Sequence, residues 1–528
     1  MHKGYLALVL HAHLPFVRHP EYSDFLEEDW LYEAITETYI PLLLMFERLE
    51  KDSVPYKFTM SMTPPLLCML SDDVLKARYT RHLDKLVELA EKELIRTADE
   101  SHMNYLARHY YDSYVEFRDY WNRWNGDLVG AFRNILEKGN LDIITCGATH
   151  GYLPLMKKTP GAVNAQIEMA VKTHKRLLGQ APTGIWLPEC AYFPGLDKVL
   201  ARHNLRYFIV DSHGILYSHP RPRYKNYAPL YCEGSGVAAF GRDLETSVQV
   251  WSKESGYPGD PMYREFYRDI GYDLPFEYIG PYVQPNGLRK NTGIKYHRIT
   301  GKSDHKELYD PYWAKERAAL HAGNFMYNRE KQIEYLHGEM DRKPVILAPY
   351  DAELYGHWWY EGPWWIEFLI RKVAYDQGSF SLTNMKEYLS DNPTQQVAMP
   401  AESSWGNAGY HEFWLSDSNA WIYRHLHKAA ERMVESAEKN PTPDPLRERV
   451  LNQMGRELLL AQASDWAFII RSDTMVEYAE RRTVNHIRRF TRLYNELSEN
   501  AIDESWLLKV EALDNIFPDM DYRTYLHR

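Results

Sequence analysis

The sequence predicts an α/β protein: a barrel of parallel strands, interrupted by a helical insertion and followed by an all-helical carboxyl-terminal region. Three observations carry this. Apolar strand-like runs alternate with helical patterns along the first four-fifths of the chain, the rhythm of parallel strands joined by right-handed crossovers. Residues 62–140 break that rhythm with long amphipathic patterns, and from Ser416 onward only helical periodicity remains. Two strand-like runs end in an acid, as a barrel presents functional groups at its carboxyl edge. Gly184-Ile-Trp-Leu-Pro-Glu189 is followed by the turn signals Pro194 and Gly195, and Val345-Ile-Leu-Ala-Pro-Tyr-Asp351 leads into the aromatic stretch 353–360.

In order, residues 4–10 read as a buried strand, and a helix runs from Asp29 to about Leu49. Residues 56–60 form the next strand. Leu75, Tyr79, Leu83, Leu86, Ala90 and Leu94 then recur at spacings of three and four, with Ser71 placed to cap the helix and Asp72 and Asp73 in its first turn. A second helical pattern, rich in Tyr and Trp, covers about 105–138. Strand 141–146, a helix at about 161–178, the Glu189 strand, strand 207–211 and strand 237–240 restore the alternation. Residues 252–305 are rich in Gly, Pro and Tyr and lack periodicity, as segments that shape a site do. A helix at about 306–338 leads to the Asp351 strand, Pro363 opens another helix, and 396–400 reads as a last strand, for seven or eight in all. Helices follow at about 416–437, 446–470 and 474–497, with a short one ending near Leu513. In the second, Met454, Leu458, Ala461 and Asp465 share one stripe, so an acid stands where an apolar residue is expected and needs a partner or a cleft. The division is therefore 1–61 with 141–415 as the barrel, 62–140 as the insertion and 416–528 as the helical domain.

The totals narrow the function. A net charge of −11, with no basic block, argues against nucleic acid or an anionic membrane as partner and favours a neutral one. No run of about 18 apolar residues offers a membrane span. The short apolar run at the amino terminus meets His11 and His13 without a cleavage signal, so it reads as the first strand. Cys68, Cys146, Cys190 and Cys232 are widely spaced, which indicates reduced thiols in a cytoplasmic protein, with no disulfide framework and no zinc knuckle. The 40 Tyr and 15 Trp suit either core packing or stacking on sugars, whose faces are C–H and whose edges are hydroxyl.

Breaking a glycosidic bond needs a proton for the departing oxygen and a carboxylate to capture the oxocarbenium-like carbon. Glu189 as nucleophile and Asp351 as acid/base meet that need, and a retaining reaction asks that they lie about 5–5.5 Å apart. Either acid could instead cap a helix or pair with an arginine. His11 and His13 follow the first strand and His150 follows the strand at 141–146, positions from which a ring can bond sugar hydroxyls or a carboxylate. H-x-H with a third His and an Asp is also a plausible zinc set, which keeps a zinc-dependent carbohydrate deacetylase or glycosidase as a competitor. Purely structural histidines are the plain alternative. Cys190 beside Glu189 lacks a His partner in sequence for a thiol nucleophile. Trp405 and Trp414 fit sugar stacking or adhesion between barrel and helical domain equally well.

Five segments in a fixed order, His11-Ala-His-Leu-Pro15, Gly147-Ala-Thr-His-Gly-Tyr152, Trp186-Leu-Pro-Glu-Cys-Ala-Tyr192, 348–357 and Ser403-Ser-Trp-Gly406, resemble glycoside hydrolase family 57. The resemblance covers essentially the whole chain. It implies an incomplete (β/α)7 barrel with a helical insertion and a retaining mechanism with neither metal nor organic cofactor. It also implies Glu189 as nucleophile and Asp351 as acid/base. His11, His13, His150, Trp405, Trp414, Asp465 and, less directly, Trp30 would stand in or near the sugar cleft. Within the family, Cys190 and Ala463-Ser-Asp-Trp466 look like 1,4-α-glucan branching enzymes of glycogen metabolism, and similar enzymes carry the name α-amylase. An α-glucan such as amylose, starch or glycogen is then the expected substrate. Attack by a glucan 6-hydroxyl makes a branch; attack by water hydrolyses. The segment between Asp211 and Gly236 is expected to govern that choice by shielding the cleft, and a short or open one favours water. A non-catalytic glucan-binding protein is a third class.

Overall fold

A computed structural model describes residues 2–252, 256–283 and 287–526. Ten strands lie among them: β1 (Gly4–Ala12), β2 (Phe58–Met62), β3 (Leu141–Ile144), β4 (Gly184–Trp186), β5 (Tyr207–Val210), β6 (Leu230–Tyr231), β7 (Ala238–Gly241), β8 (Val345–Asp351), β9 (Phe380–Leu382) and β10 (Gln396–Val397). Seven of them form the barrel wall. β3, β2, β1 and β8 pair in parallel in that order, as do β4, β5 and β7. The two arcs meet at a single parallel bridge between Thr145 and Ile185. On the other side no ladder joins β7 to β8 among the described residues; the Asp243 amide donates to the Leu347 carbonyl at 2.9 Å across the seam. The barrel is thus incomplete, and its strands are apolar on both faces because helices pack outside and side chains fill the inside.

The register sets the site. His11 on β1 stands opposite Ser61 on one side and Asp351 on the other, so three strands bring polar groups to one level at the carboxyl edge.

Several sequence expectations shift. Residues 396–400 do not close the barrel. β10 is two residues long and pairs with β6, which runs antiparallel along β7, and Pro400 has no amide to continue a ladder. β9, unforeseen, pairs with the start of β1. The cap of the Asp73–Arg96 helix is Asp72, which accepts from the amides of Val74 and Leu75; Ser71 closes the preceding helix by bonding the Leu67 carbonyl. The pattern at 105–138 is two helices, Ser101–Arg123 and Leu128–Glu137, parted at Asn125-Gly126, both at positive φ. The pattern at 446–470 also divides, into Pro445–Ala461 and Ser464–Ser472. The break at Gln462-Ala463 puts Asp465 in the first turn of a new helix, where an acid is favoured, so its place beside His13 comes from a change of helix direction. Helix 29–49 carries a π-turn at Ile35–Tyr39, a departure frequent at functional sites.

One apolar core runs from the barrel (Leu6, Ile346) through the helices of 64–137 (Leu75, Leu106) into the carboxyl-terminal helices (Leu458, Phe490). Each fully buried Leu or Phe contributes about 1.5–3 kcal/mol. This shared core holds the loop at Ala463-Ser464-Asp465 against the barrel: Gly151 bridges Ala463, and the Ser464 amide donates to the His150 carbonyl. Among the described residues no helix is long and apolar enough to cross a membrane.

Candidate active site

Pro188 stops β4, and the chain turns sharply with Glu189 at φ 60° and Cys190 at φ 51°. Left-handed backbone at two consecutive non-glycine residues costs of order 1 kcal/mol each and persists only where the surroundings hold it. Here the Trp405 amide donates to the Glu189 carbonyl at 3.0 Å, and Tyr192 and Ser403 exchange backbone bonds. The turn aims the carboxylate inward. Trp405 Nε1 donates to Oε2 at 2.7 Å and Ser464 Oγ lies 3.3 Å from Oε1. Burial pushes the carboxyl up to about 7; the Trp405 bond opposes this, Asp465 adds to it, and His13 and Ser464 also oppose it.

Asp351 ends β8. Burial, then the neighbouring charges of Glu353 and Glu189, hold its carboxyl well above the ordinary range, while His13 and Arg242 pull the other way. Asp351 and Glu189 both open on one cleft of about 590 Å³, lined also by Arg242, Trp405, Trp414 and Phe468. Two carboxyls on one cavity, each repelling the other's charge, can divide acid and base roles between them.

The structure brings the three predicted histidines together as a stack. His11 lies flat on Trp186 (4.6 Å between centroids, 7°) and His150 on His13 (3.8 Å, 14°). Their edges face protein. His11 uses Nδ1 on Ser61 and Nε2 on His150, each at 3.1 Å. His150, itself at φ 57°, places Nδ1 2.8 Å from Ser464 Oγ. His13 places Nδ1 on Thr63 and Nε2 on Asp465 at 2.9 Å. Burial makes His11 and His150 neutral by lowering their pKa well below 6.5. His13 is opposite: burial is outweighed by Asp465, Glu353 and Glu189, and its pKa rises. His13, His150 and Asp465 come within metal-ligating distance of one another. Yet all six ring nitrogens of the three histidines have partners within the protein, which fits a hydrogen-bonded array better than a set of free lone pairs awaiting zinc. Asp465 Oδ2 is buried without a protein partner, and neither Asp465 nor the three histidines are among the residues lining the cleft.

Trp405 and Trp414 line the cleft. Trp414 stacks on Tyr152 at 4.5 Å, a fit that requires Gly406, where a β-carbon would come within 2.5 Å of the indole. Trp30 packs edge-on against Tyr478 and is not among the residues lining the cleft around the two acids. The Cys190 thiol is buried and its pKa pushed far up by burial, the reverse of an activated thiolate. Sequence reasoning missed three neighbours. Arg242 follows β7, donates to Asp211 and faces the cleft. Glu353 accepts from the Tyr39 hydroxyl and the His13 amide. Ser464 bonds Glu189. The available signals were Glu353 two places beyond Asp351 and Ser464 beside Asp465. None of the residues of segment 212–235 lines the cleft; His213 Nε2 bonds the Gly409 carbonyl and His219 pairs with Met399.

Residues 7–401 match the family model described as glycosyl hydrolase family 57, and residues 425–525 match one described as the carboxyl-terminal part of 1,4-alpha-glucan branching enzymes. A solved structure of the alpha-amylase AmyC from Thermotoga maritima is similar over 99% of both chains, at 47% identity and a TM-score of 0.93. The 1,4-alpha-glucan branching enzyme of Thermococcus kodakarensis is 36% identical over 98% of this chain and 77% of its own length. The branching enzyme of Pyrococcus horikoshii superposes at a TM-score of 0.89 with 32% identity, over 100% of this chain and 97% of that one.

Proposed function

The chain belongs to glycoside hydrolase family 57, and from that membership and the site geometry we propose that it is a 1,4-α-glucan branching enzyme working by retaining double displacement. The observation that carries this is the meeting of Glu189 and Asp351, delivered by β4 and β8, in one cleft walled by Trp405 and Trp414. Asp351 gives its proton to the glycosidic oxygen as the bond to the anomeric carbon breaks, and Glu189 attacks that carbon to form a glucosyl ester. Asp351, now anionic, takes the proton of the incoming hydroxyl, which displaces Glu189. A raised pKa suits Asp351 to the first step. Glu189 must be anionic, which the donors Trp405 and Ser464 favour. Asp465 Oδ2, unpaired and buried, is the acceptor we assign to a substrate hydroxyl.

The rim of the cleft, with Leu244, Val248, Trp251, Phe413 and Phe468, is apolar. Such a surface covers the ester with sugar chain and disfavours water. The second reading, α-amylase, draws on the amylase relative and on the segment 212–235, none of whose residues lines the cleft. Incubation with amylose, counting new α-1,6 linkages against new reducing ends, tests the choice. Branching predicts α-1,6 linkages with reducing ends in the minority; reducing ends alone would assign hydrolysis.

We further assign residues 1–61 and 141–415 to the catalytic barrel, 62–140 to a helical insertion and 416–528 to a helical domain. The change from βα to purely helical order supports these limits. Free Cys68, Cys146, Cys190 and Cys232 suit a reducing, cytoplasmic setting.

A further inference from the structure

Behind Glu189 runs a line of buried polar side chains of which the mechanism above uses only the first, Ser464. Ser464 Oγ lies 3.3 Å from Glu189 Oε1 and 2.8 Å from His150 Nδ1. His150 Nε2 faces His11 Nε2 at 3.1 Å, and His11 Nδ1 faces Ser61 Oγ at 3.1 Å on β2. All four linking residues are at most 3% exposed. A neutral imidazole has one N–H and one lone pair, and a serine hydroxyl has one proton to give. The chain therefore has only two self-consistent proton orders. In one, Ser61 donates to His11, His11 to His150, His150 through Nδ1–H to Ser464, and Ser464 to Glu189. In the other every bond is reversed, Ser61 turns to the Thr145 carbonyl, and Ser464 presents a lone pair to the carboxylate. An anionic Glu189 selects the first order, because it accepts and cannot donate; the Ser61–Thr145 contact is the longest in the line, 3.4 Å.

We propose that Ser464 is a positioning residue for Glu189, and that its proton is aimed at the carboxylate by the chain Ser61–His11–His150, with His150 as the Nδ1–H tautomer and His11 as the Nε2–H tautomer. The helical carboxyl-terminal region thereby supplies one of the two side-chain donors to the nucleophile, and the barrel interior dictates which way that donor points. The inference rests on Glu189 being the nucleophile. Other groups whose charge or proton bears on Glu189 are His13 on β1's extension, Asp465 on the Ser464 helix, Asp351 on β8, Cys146 after β3, Cys190 beside it, and Tyr152. None of them donates a side-chain hydrogen bond to Oε1. His11 touches neither the cleft nor Glu189; its hydrogen-bonded route to the carboxylate is this chain, and its ring lies on Trp186, which packs edge-on against Trp405, a contact that the phenyl ring of His11→Phe keeps.

The test is the pH dependence of kcat/KM on amylose for the wild type, Ser464→Ala, Ser464→Thr, His11→Phe and the double variant Ser464→Ala/His11→Phe, each checked for a native melting transition. The acid limb reports ionisation of the nucleophile in the free enzyme. Loss of one hydrogen bond to a charged group moves it up by about one pH unit, roughly a tenfold loss below the limb. Ser464→Ala is expected to do this and Ser464→Thr, which keeps a hydroxyl, to hold the wild-type position. His11→Phe keeps the stack on Trp186 but frees His150 to take the other tautomer, so its limb moves in the same direction, and the double variant moves no further than Ser464→Ala. An unmoved limb in His11→Phe, or shifts that add in the double variant, would overturn the proposal. If Ser464→Ala does not fold, His11→Phe against Ser464→Thr decides alone. A Glu189→Ala enzyme with intact turnover would instead sink the assignment of the nucleophile, so the two failures are distinguishable.

Discussion

Glu189→Gln separates what the site costs in stability from what it gives in activity. Burial raises the Glu189 carboxyl from an ordinary 4.5 to about 7, and its side chain is only 13% exposed. Between those pH values the folded chain holds a proton that the unfolded chain has released, so stability falls as pH rises through that window. The cost is absent below about pH 4.5 and complete above about pH 7. At roughly 1.4 kcal/mol per pH unit it amounts to about 3 kcal/mol. Glutamine never ionises and keeps an oxygen for Trp405. The variant should therefore be more stable than wild type by up to about 3 kcal/mol at pH 8, and by under about 0.5 kcal/mol at pH 4.5. For a chain of 528 residues the difference at pH 8 corresponds to about 3 °C in Tm. Calorimetry at the two pH values, beside a turnover assay that should show near-complete loss, makes the comparison. A variant that gains no stability between pH 4.5 and pH 8 relative to wild type would refute the claim that burial strains this carboxylate.

Trp405→Phe keeps a ring on the cleft but removes the 2.7 Å N–H donor to Glu189 Oε2. A bond of this kind is worth roughly 1.5–3 kcal/mol, so the acid limb of kcat/KM should climb by one to two pH units; a limb that stays in place contradicts the role given to the indole. Asp351→Asn should abolish turnover of amylose yet retain the first step on a glucosyl donor whose leaving group needs no proton. Equal loss on both substrates would argue against Asp351 as the acid.

The barrel was legible because parallel strands buried on both faces read as continuous apolar runs, and β4 and β8 could be recognised by the acids that end them. β6, β9 and β10 are two or three residues long, too short to show a period, and so the last strand was misplaced. In the site, the acids and the histidines were legible as residue types at strand ends, but their partners were not. The register that sets His11 beside Ser61, and the fold that lays Ser464 against His150, join positions far apart in sequence. Asp465 was singled out by a stripe that the structure breaks at Gln462-Ala463; the partner that a buried acid needs is His13, reached from a different helix than the pattern gave. Arg242 and Glu353 carried no local pattern beyond closeness to a strand end.

The central claim is a covalent bond to one side chain. Asp351→Asn enzyme, mixed with an α-glucosyl fluoride, quenched in acid and digested, should yield the peptide containing Glu189 carrying the mass of the sugar, with fragmentation placing it on that carboxylate. Sugar attached to Asp351→Asn protein at Asp465 or at any other residue would contradict the account.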